Sequence, residues 1–175
     1  MTTNVDVAMD EVMVRRARTE DGGRIRALRL EMLADTPLAF ITTLAEAAAM
    51  PHHEAIARVT RGSWGTQTGH FVAVHGKRIV GQVLAQASRT DPHVTMLFAI
   101  YVAPAYRGGQ VLSDLIEASA AWSRECGRPH LELEVVTGNR RAARAYTKLG
   151  FAPLGEPVPH PVFRPLTEQV MYRQA

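Results

Sequence analysis

A pair of adjacent glycines stands between a run of apolar residues and a helical pattern, an arrangement suited to binding an anion. Residues 94–102 are nearly all apolar, Gly108 and Gly109 follow, and apolar residues recur at helical spacing from Val111. The first turn of a helix has unpaired N–H groups and the positive end of the helix dipole, so its backbone can hold a pyrophosphate. Glycines allow such a group to approach the chain. A glycine pair is also typical of a plain strand-to-helix connector, so both interpretations stay open at this point.

The remaining reactive side chains predict neither a metal site nor a nucleophile. His52 and His53 are adjacent, so on a helix they would point about 100° apart, and no carboxylate or cysteine lies at ligand spacing. We therefore predict no metal. The single cysteine, Cys126, ends an apolar helical pattern and is interpreted as a structural residue. One thiol excludes an internal disulfide and is typical of a reducing compartment.

Composition favours one globular unit. The chain has 175 residues, of which 46% are hydrophobic and 21% are charged, enough apolar material for one core. No apolar run approaches the roughly 18 residues of a membrane span, and the N-terminus lacks the order of a secretory signal. We expect a cytoplasmic protein with no membrane partner, with residues 1–11 as a flexible leader and residues 12–175 as a single domain. The net charge of +3 fits a polyanionic partner, either nucleic acid or a phosphorylated cofactor.

The order of periodic segments predicts a mixed sheet with helices on both faces. The apolar run at 94–102 is typical of a central strand, and the helix and strand that follow it predict a right-handed parallel crossover. The predicted elements are a strand at 12–17, helices at 19–33 and 44–59 with a break at Pro51, strands at 71–74, 79–87 and 94–102, a helix from 111, a strand at 131–136, a helix capped by Asn139 and closed by Gly150, and short final strands from 151 and from 166.

Two segments resemble motifs of the GNAT superfamily of N-acetyltransferases. They are VAPAYRG at residues 102–108 and, as the sharper match, NRRAARAYTKLGF at residues 139–151. Together with the order of elements, the resemblance covers nearly the whole chain from residue 12. It implies an α/β fold with a GNAT-like mixed, mostly antiparallel central sheet and helices on both faces. It also implies transfer of an acetyl group from acetyl-CoA to a primary amine of a small molecule or peptide, by direct attack while both substrates are bound.

The resemblance further implies where coenzyme A binds. The cofactor would lie between two strands that splay apart, those ending at Val102 and near Val136, with its pantetheine arm bonded to exposed backbone of the first strand. The glycine loop and the following helix start would take the pyrophosphate. The expected cofactor-binding residues are Ile100, Tyr101, Val102, Arg107, Gly108, Gly109, Gln110, Val111, Leu112, Ser113, Asn139 and Tyr146.

The chain departs from the family pattern at two positions of the pyrophosphate loop. Gln110 and Leu112 stand where the family has small residues, so a Cβ there is expected to crowd the pyrophosphate or to strain a positive-φ backbone. This departure keeps a second hypothesis open. The chain would then be a catalytically impaired GNAT-like module that binds a CoA species or a protein partner as a sensor or scaffold.

The resemblance also implies roles in proton transfer. Tyr146 matches the position that usually gives a proton to the departing thiolate. Family members often carry a glutamate base on the central strand, but residues 95–98 contain no acid. Glu134 on the neighbouring predicted strand is therefore the first candidate base and Glu132 the second, and alternation is expected to leave only one of them facing the cleft.

For the acceptor, the resemblance leads to the first two helices and to a proline-rich loop at 154–165. Phe40 and Trp64 are the expected substrate-binding residues, and His160 lies in the late loop. Arg140, Arg144 and Lys148 share a helix face, but no aromatic interleaving accompanies them, so no nucleic-acid partner is expected. The sequence leaves a homodimer open.

Overall fold

A computed structural model describes residues 11–175, and an eight-stranded sheet runs through this part of the chain. The strands are β1 (Met13–Arg16), β2 (Thr68–His75), β3 (Arg78–Ala87), β4 (Val94–Val102), β5 (His130–Val136), β6 (Ala152–Pro153), β7 (Val158–Pro159) and β8 (Thr167–Gln174). The helices are α1 (Gly22–Asp35), α2 (Leu44–Ala49), α3 (His52–Gly62), α4 (Val111–Glu125) and α5 (Arg140–Lys148). Almost all of the predicted leader lies outside the described residues.

The strand order is β1-β2-β3-β4-β5-β8-β6, and β7 also pairs with β8. The β4–β5 pair is parallel and the other strand pairs of the described chain are antiparallel. A parallel neighbour requires a crossover, which α4 provides between β4 and β5. The predicted mixed, mostly antiparallel sheet is confirmed.

The sheet separates two apolar cores. On one face, Leu115 and Ile116 of α4 pack with Leu97 of β4 and Leu133 of β5, and this core extends to Tyr146 of α5. The residues of the other core come from α1, α2 and α3 together with alternate positions of the strands; examples are Leu28, Met32, Ala47, Val59, Val72 and Tyr101. Helices therefore cover both faces, as predicted. We call these the α4 face and the α1 face of the sheet.

Local signals in the sequence account for the helix boundaries that were predicted. Pro51 separates α2 from α3, and Asn139 Oδ1 accepts the N–H of Ala142 at 3.2 Å as the N-cap of α5. Gly150 follows α5 with φ of +87°, a backbone conformation that glycine adopts without strain. These boundaries are confirmed.

β4 contains a bulge that the sequence pattern did not predict. Gln82 pairs with Tyr101 and Leu84 pairs with Phe98, so two residues of β4 oppose one residue of β3. Within the bulge, Ala99 has φ of +47°. The buried Gln82 amide donates to the carbonyl of Ala99 at 3.3 Å, which fixes the bulge to the neighbouring strand.

Candidate active site

The pairing of β4 with β5 ends halfway along β4. The last pair is Leu97 with Leu133, whereas β4 continues to Val102 and β5 continues to Val136. Beyond that pair, β4 is hydrogen-bonded only to β3 and β5 only to β8 within residues 11–175. The edge of β4 that faces β5 therefore offers unpaired main-chain groups. An extended ligand can bind such an edge in the manner of an added strand.

The loop after β4 leads into the start of α4, where backbone N–H groups are free of backbone acceptors in the described part of the chain. Gly108 has φ of +79°, and a Cβ added there would meet no atom within 4 Å. The first backbone bond of α4 runs from the N–H of Asp114 to the carbonyl of Gln110 at 3.0 Å. The N–H groups of Val111, Leu112 and Ser113 precede it and have no backbone acceptor among the described residues. Free N–H groups in the first turn of a helix can hold an anion.

Arg107 and Tyr101 have side chains that brace the loop rather than face the split. The Arg107 Nε–H donates to the Val102 carbonyl at 2.8 Å, and the guanidinium contacts the Asp35 carboxylate and lies 5.3 Å from the centre of the Tyr101 ring. Burial is the main cause that raises the pKa of Tyr101 to about 12. Because these two side chains are engaged within the protein, only the backbone groups of Arg107 and Tyr101 can take the expected role in cofactor binding.

The expected backbone strain at Gln110 is not found. Gln110 has φ of −79° and ψ of −18°, which are right-handed helical values, and its side chain is exposed. Its neighbour Leu112 is half-buried and packs against the core of the α4 face. The positive φ of this loop falls on Gly108 instead, where the residue type accommodates it.

Tyr146 lies on the α4 face. The side chain is 8% exposed and packs edge-on against Phe151, with 6.0 Å between the ring centres. Burial raises the pKa of Tyr146 above its ordinary value, so the phenol keeps its proton at neutral pH. It is therefore in the protonation state that a proton donor requires.

Glu132 and Glu134 both project from the α1 face. Leu131, Leu133 and Val135 are buried on the α4 face, and the two glutamates occupy the alternate positions. Residues two apart on a strand share a face, so alternation does not separate the two glutamates as expected. Pairing separates them instead, because Glu132 is opposite Met96 in the paired part of β5 and Glu134 lies just beyond the last pair. Burial, followed by the charges of Asp91 and Glu134, raises the pKa of Glu132.

The two predicted substrate-binding residues lie in different places. A short 3-10 turn (Pro37–Ala39) lies against β5, and the half-buried Phe40 follows it on the α1 face. Trp64 is 70% exposed in the loop before β2. The start of β2 pairs with the end of β3, which in turn pairs with the start of β4, so Trp64 lies at the end of the sheet opposite the split. The structure thus brings Phe40, but not Trp64, towards the split strands.

Three further side chains on or beside the α1 face were not among the predicted catalytic or substrate residues. Phe98 is 37% exposed next to the bulge, and Glu168 pairs in register with Val136 at the end of β5. His160, noted only as part of the late loop, is fully buried beside Glu168. No motif marks these positions in the sequence.

Residues 11–175 show neither a metal-binding cluster nor a membrane-spanning helix. This range contains no group of three or more histidine, cysteine or carboxylate side chains placed to hold a metal ion. The same range contains no helix that is both long enough and apolar enough to cross a membrane.

Comparison with known proteins assigns the chain to a class of acyl-transferring enzymes. Residues 38–151, more than half of the chain, match the model of the acetyltransferase (GNAT) family. The chain therefore belongs to the GNAT family and is an N-acetyltransferase of that type.

Solved structures share the fold. An acetyltransferase of the GNAT family from Streptococcus pneumoniae superposes with a TM-score of 0.78 at 20% identity, covering 94% of this chain and 99% of that chain. A Salmonella typhimurium protein in complex with its cofactor acetyl-CoA gives 0.76 at 16% identity, with 93% of each chain covered. A GCN5-related N-acetyltransferase from Kribbella flavida gives 0.72 at 23% identity, with 94% and 98% covered. No curated protein matches the chain significantly.

Proposed function

We propose that this enzyme transfers an acetyl group from acetyl-CoA to a primary amine of a small molecule or peptide, by direct attack while both substrates are bound. The observation that carries the proposal is the end of the β4–β5 pairing at Leu97 and Leu133. Beyond these residues the sheet is open, so a ligand between the strands can be reached from both faces.

The cofactor side of the opening has the groups that the proposal needs. When bound, acetyl-CoA supplies an activated thioester. The free edge of β4 around Ile100 and Val102 supports binding of the pantetheine arm, and the N–H groups at the start of α4 support binding of the diphosphate. A backbone N–H in this part of β4 is also suited to stabilise negative charge that develops on the carbonyl oxygen.

The two candidate groups for proton transfer lie on opposite faces of the split sheet. Tyr146 belongs to the α4 face, whereas Glu134 projects from the α1 face just beyond the last β4–β5 pair. This arrangement supports an acceptor that enters from the α1 face and loses its proton there. Tyr146 then gives its proton to the sulfur from the other face.

The backbone of the pyrophosphate loop favours this proposal over an impaired binding module. That alternative rested on strain or crowding at Gln110 and Leu112, and Gln110 has an ordinary helical backbone.

Calorimetry with acetyl-CoA and a thiol-release assay with primary amines test the proposal together. We expect micromolar binding and amine-dependent release of free thiol. Binding without thiol release for any amine would instead support a module that senses a CoA species. Absence of acetyl-CoA binding would contradict the proposal and leave only the module that binds a protein partner.

A further inference from the structure

A buried histidine with an unpartnered nitrogen lies beside the acidic part of the α1 face. His160 is fully buried, and its Nδ1 accepts the backbone N–H groups of Val162 and Phe163 at 3.1 and 3.0 Å. The proton of the neutral ring therefore lies on Nε2. This Nε2 has no hydrogen-bond partner in the described part of the chain and lies 3.5 Å from Glu168 Oε1. A buried hydrogen-bond donor without a partner destabilises the fold, so the presence of this N–H calls for an explanation.

The carboxylate next to this nitrogen is itself buried. Glu168 is 8% exposed, and its register partner is Val136, the last residue of β5. Paired residues of antiparallel strands share a face, which places Glu168 on the same face as Glu134. Burial is the main cause that raises the pKa of Glu168; the charge of Glu134 adds to it and His160 opposes it.

Both carboxylates lie at the opening of the sheet. Glu134 is the first residue of β5 after the last pair with β4, and Glu168 lies beside the strand end two residues further on. Within residues 11–175, neither carboxylate forms an ion pair with a lysine or arginine. Two neighbouring carboxylates without a cationic partner repel each other, and a bound cation relieves the repulsion. His160 is the independent sign that this cluster serves a ligand, because its fully buried Nε2 lies 3.5 Å from Glu168 Oε1 without completing a hydrogen bond.

We propose that Glu134 and Glu168 bind the ammonium group of the acceptor, that Glu168 takes its proton, and that His160 positions the Glu168 carboxylate through its Nε2–H. This inference rests on the proposed function and names its acceptor class, an amine with no carboxylate on the carbon next to the nitrogen. Glu134 and Glu168 are thus catalytic residues, and His160 is a positioning residue.

The proton transfers balance in this arrangement. One proton of the ammonium goes to Glu168 and from there through the exposed Glu134 to solvent. The neutral nitrogen forms the N–C bond to the acetyl carbonyl carbon as the C–S bond breaks, and the leaving sulfur takes the proton of Tyr146. The second proton lost by the nitrogen replaces the one that Tyr146 gave. The products are the N-acetyl amide, free thiol and one proton released to water.

Charge explains why the acceptor class excludes α-amino acids. A carboxylate one carbon from the reacting nitrogen would lie within a few ångströms of Glu134 and Glu168, where like charges repel. An aliphatic or aromatic amine carries only the favourable charge. The aromatic side chains of Phe40 and Phe98 on the same face are suited to contact an apolar amine substituent.

Matched pairs of acceptors test the substrate class. The probes are 2-phenylethylamine with phenylalanine, tyramine with tyrosine, histamine with histidine, and cadaverine with lysine, each given with acetyl-CoA while thiol release is measured. We expect the amine of a reactive pair to have a kcat/KM at least about tenfold above that of its α-amino acid. An equal or higher value for the α-amino acids, with thiol release intact, overturns the inference but leaves the proposed function standing. If acetyl-CoA binds and no probe reacts, the inference fails, and the proposed function then holds only if a peptide amine releases thiol.

Glu168→Gln and Glu134→Gln test the two carboxylates. The control is Glu125→Gln, because Glu125 is an exposed glutamate at the far end of α4. Glu168→Gln should lower kcat/KM for the best amine about 100-fold, remove the acid limb of its pH profile and leave acetyl-CoA affinity unchanged. Glu134→Gln, an exposed change that tests the site even if Glu168→Gln folds poorly, should raise KM for the amine about tenfold. The control should change neither.

His160→Asn tests the positioning role, since the asparagine oxygen can still accept from Val162 and Phe163 while the Nε2–H is lost. We expect the acid limb of kcat/KM to move to higher pH by about one unit, because the ionised Glu168 loses a donor and only the charge of Glu134 remains beside it. A lower rate with an unmoved limb would mean that His160 is only structural. Unchanged activity in both glutamate variants would overturn the whole inference.

Discussion

The proposed role of Tyr146 as proton donor is supported by the sequence and, on separate grounds, by the structure. The motif at 139–151 indicated its position, and the structure shows a buried phenol whose raised pKa keeps it protonated. Its ring packs against Phe151, so loss of the hydroxyl alone leaves the packing intact.

We therefore expect Tyr146→Phe to lower kcat about 10- to 100-fold, while acetyl-CoA affinity and the melting temperature stay close to those of the wild type. Steady-state kinetics with the best amine, together with calorimetry, measure both quantities. An unaltered kcat would exclude Tyr146 as the proton donor. A large loss of acetyl-CoA affinity would instead assign it a binding role.

Individual residues were predictable where a contiguous motif carried them. Asn139 and Tyr146 lie in one helical segment, so their spacing alone fixed their relative placement. Glu168 and His160 could not be found in this way, because a proline-rich loop separates them from any motif and its path follows from tertiary contacts. Alternation could not choose between Glu132 and Glu134, because residues two apart on a strand share a face; only the point where the β4–β5 pairing ends separates them.

At the scale of elements, the bulge in β4 lies just beyond the last residue of β4 that pairs with β5. Ala99 occupies a left-handed conformation that costs a residue with a Cβ about 1 kcal/mol, and the Gln82 amide holds its carbonyl. His70 lies 3.2 Å from Gln82 Oε1, and burial lowers the pKa of His70 to about 4, so the neutral ring can donate there at neutral pH.

We expect Ala99→Gly to raise the free energy of unfolding by up to about 1 kcal/mol, because glycine relieves the positive φ. The control is Ala85→Gly in the regular part of β3, which should lower it by about 1 kcal/mol through chain entropy and lost packing. Urea unfolding measures both. Equal destabilisation by the two changes would contradict a strained bulge.

The loop before α4 allows a similar comparison between neighbouring glycines. Gly108 has positive φ, whereas Gly109 does not, and a Cβ at Gly109 would come no closer than 4.0 Å to the Tyr106 carbonyl. We expect Gly108→Ala to lower the free energy of unfolding by about 1 kcal/mol and to weaken acetyl-CoA binding. Gly109→Ala should change unfolding by less than about 0.5 kcal/mol. Thermal unfolding with and without acetyl-CoA distinguishes these outcomes, and equal effects on unfolding would show that φ is not the cause.

Periodicity predicted the strands and helices, but it did not predict how the strands pair with one another. Residues 94–102 form one unbroken apolar run, which predicts a buried strand and says nothing of where its pairing ends. The bulge at Ala99 and the last pair at Leu97 are set by side chains of other strands and helices, such as Gln82. The split was expected only through the resemblance to a family.

At the scale of the whole molecule, the proposed reaction brings the two substrates together at the split from opposite faces of the sheet. In this proposal the start of α4 and the phenol of Tyr146 serve the cofactor side, and the acidic α1 face serves the acceptor side. The 3-10 turn that lies against β5 follows directly after α1. The elements of the α1 face therefore stay in place at the split only if α1 is held firmly against the sheet. A buried ion pair at the start of α1 provides that attachment.

Asp21 is the centre of this attachment, because its buried carboxylate accepts from Arg15 of β1 at 2.6 and 2.9 Å and also contacts Arg24 of α1. The hydrogen bonds from Arg15, helped by the backbone N–H of Arg18, lower the pKa of Asp21 to about 2. A folded-state pKa below the unfolded value of about 4 stabilises the fold above pH 4. That contribution, on the order of 2 kcal/mol, is lost as the pH falls from about 4 to about 2.

We therefore expect Asp21→Asn to lower the free energy of unfolding at pH 7 by at least about 2 kcal/mol, since two arginines lose their buried partner. The difference from the wild type should shrink as the pH approaches 2, where the native carboxyl is itself becoming protonated. Urea unfolding at pH 7, 4 and 2 measures it, with the exposed neighbour Glu20→Gln as the control that should show neither effect. A difference that stays constant across this range would mean that Asp21 stabilises the junction of β1 and α1 through its shape and not through its charge.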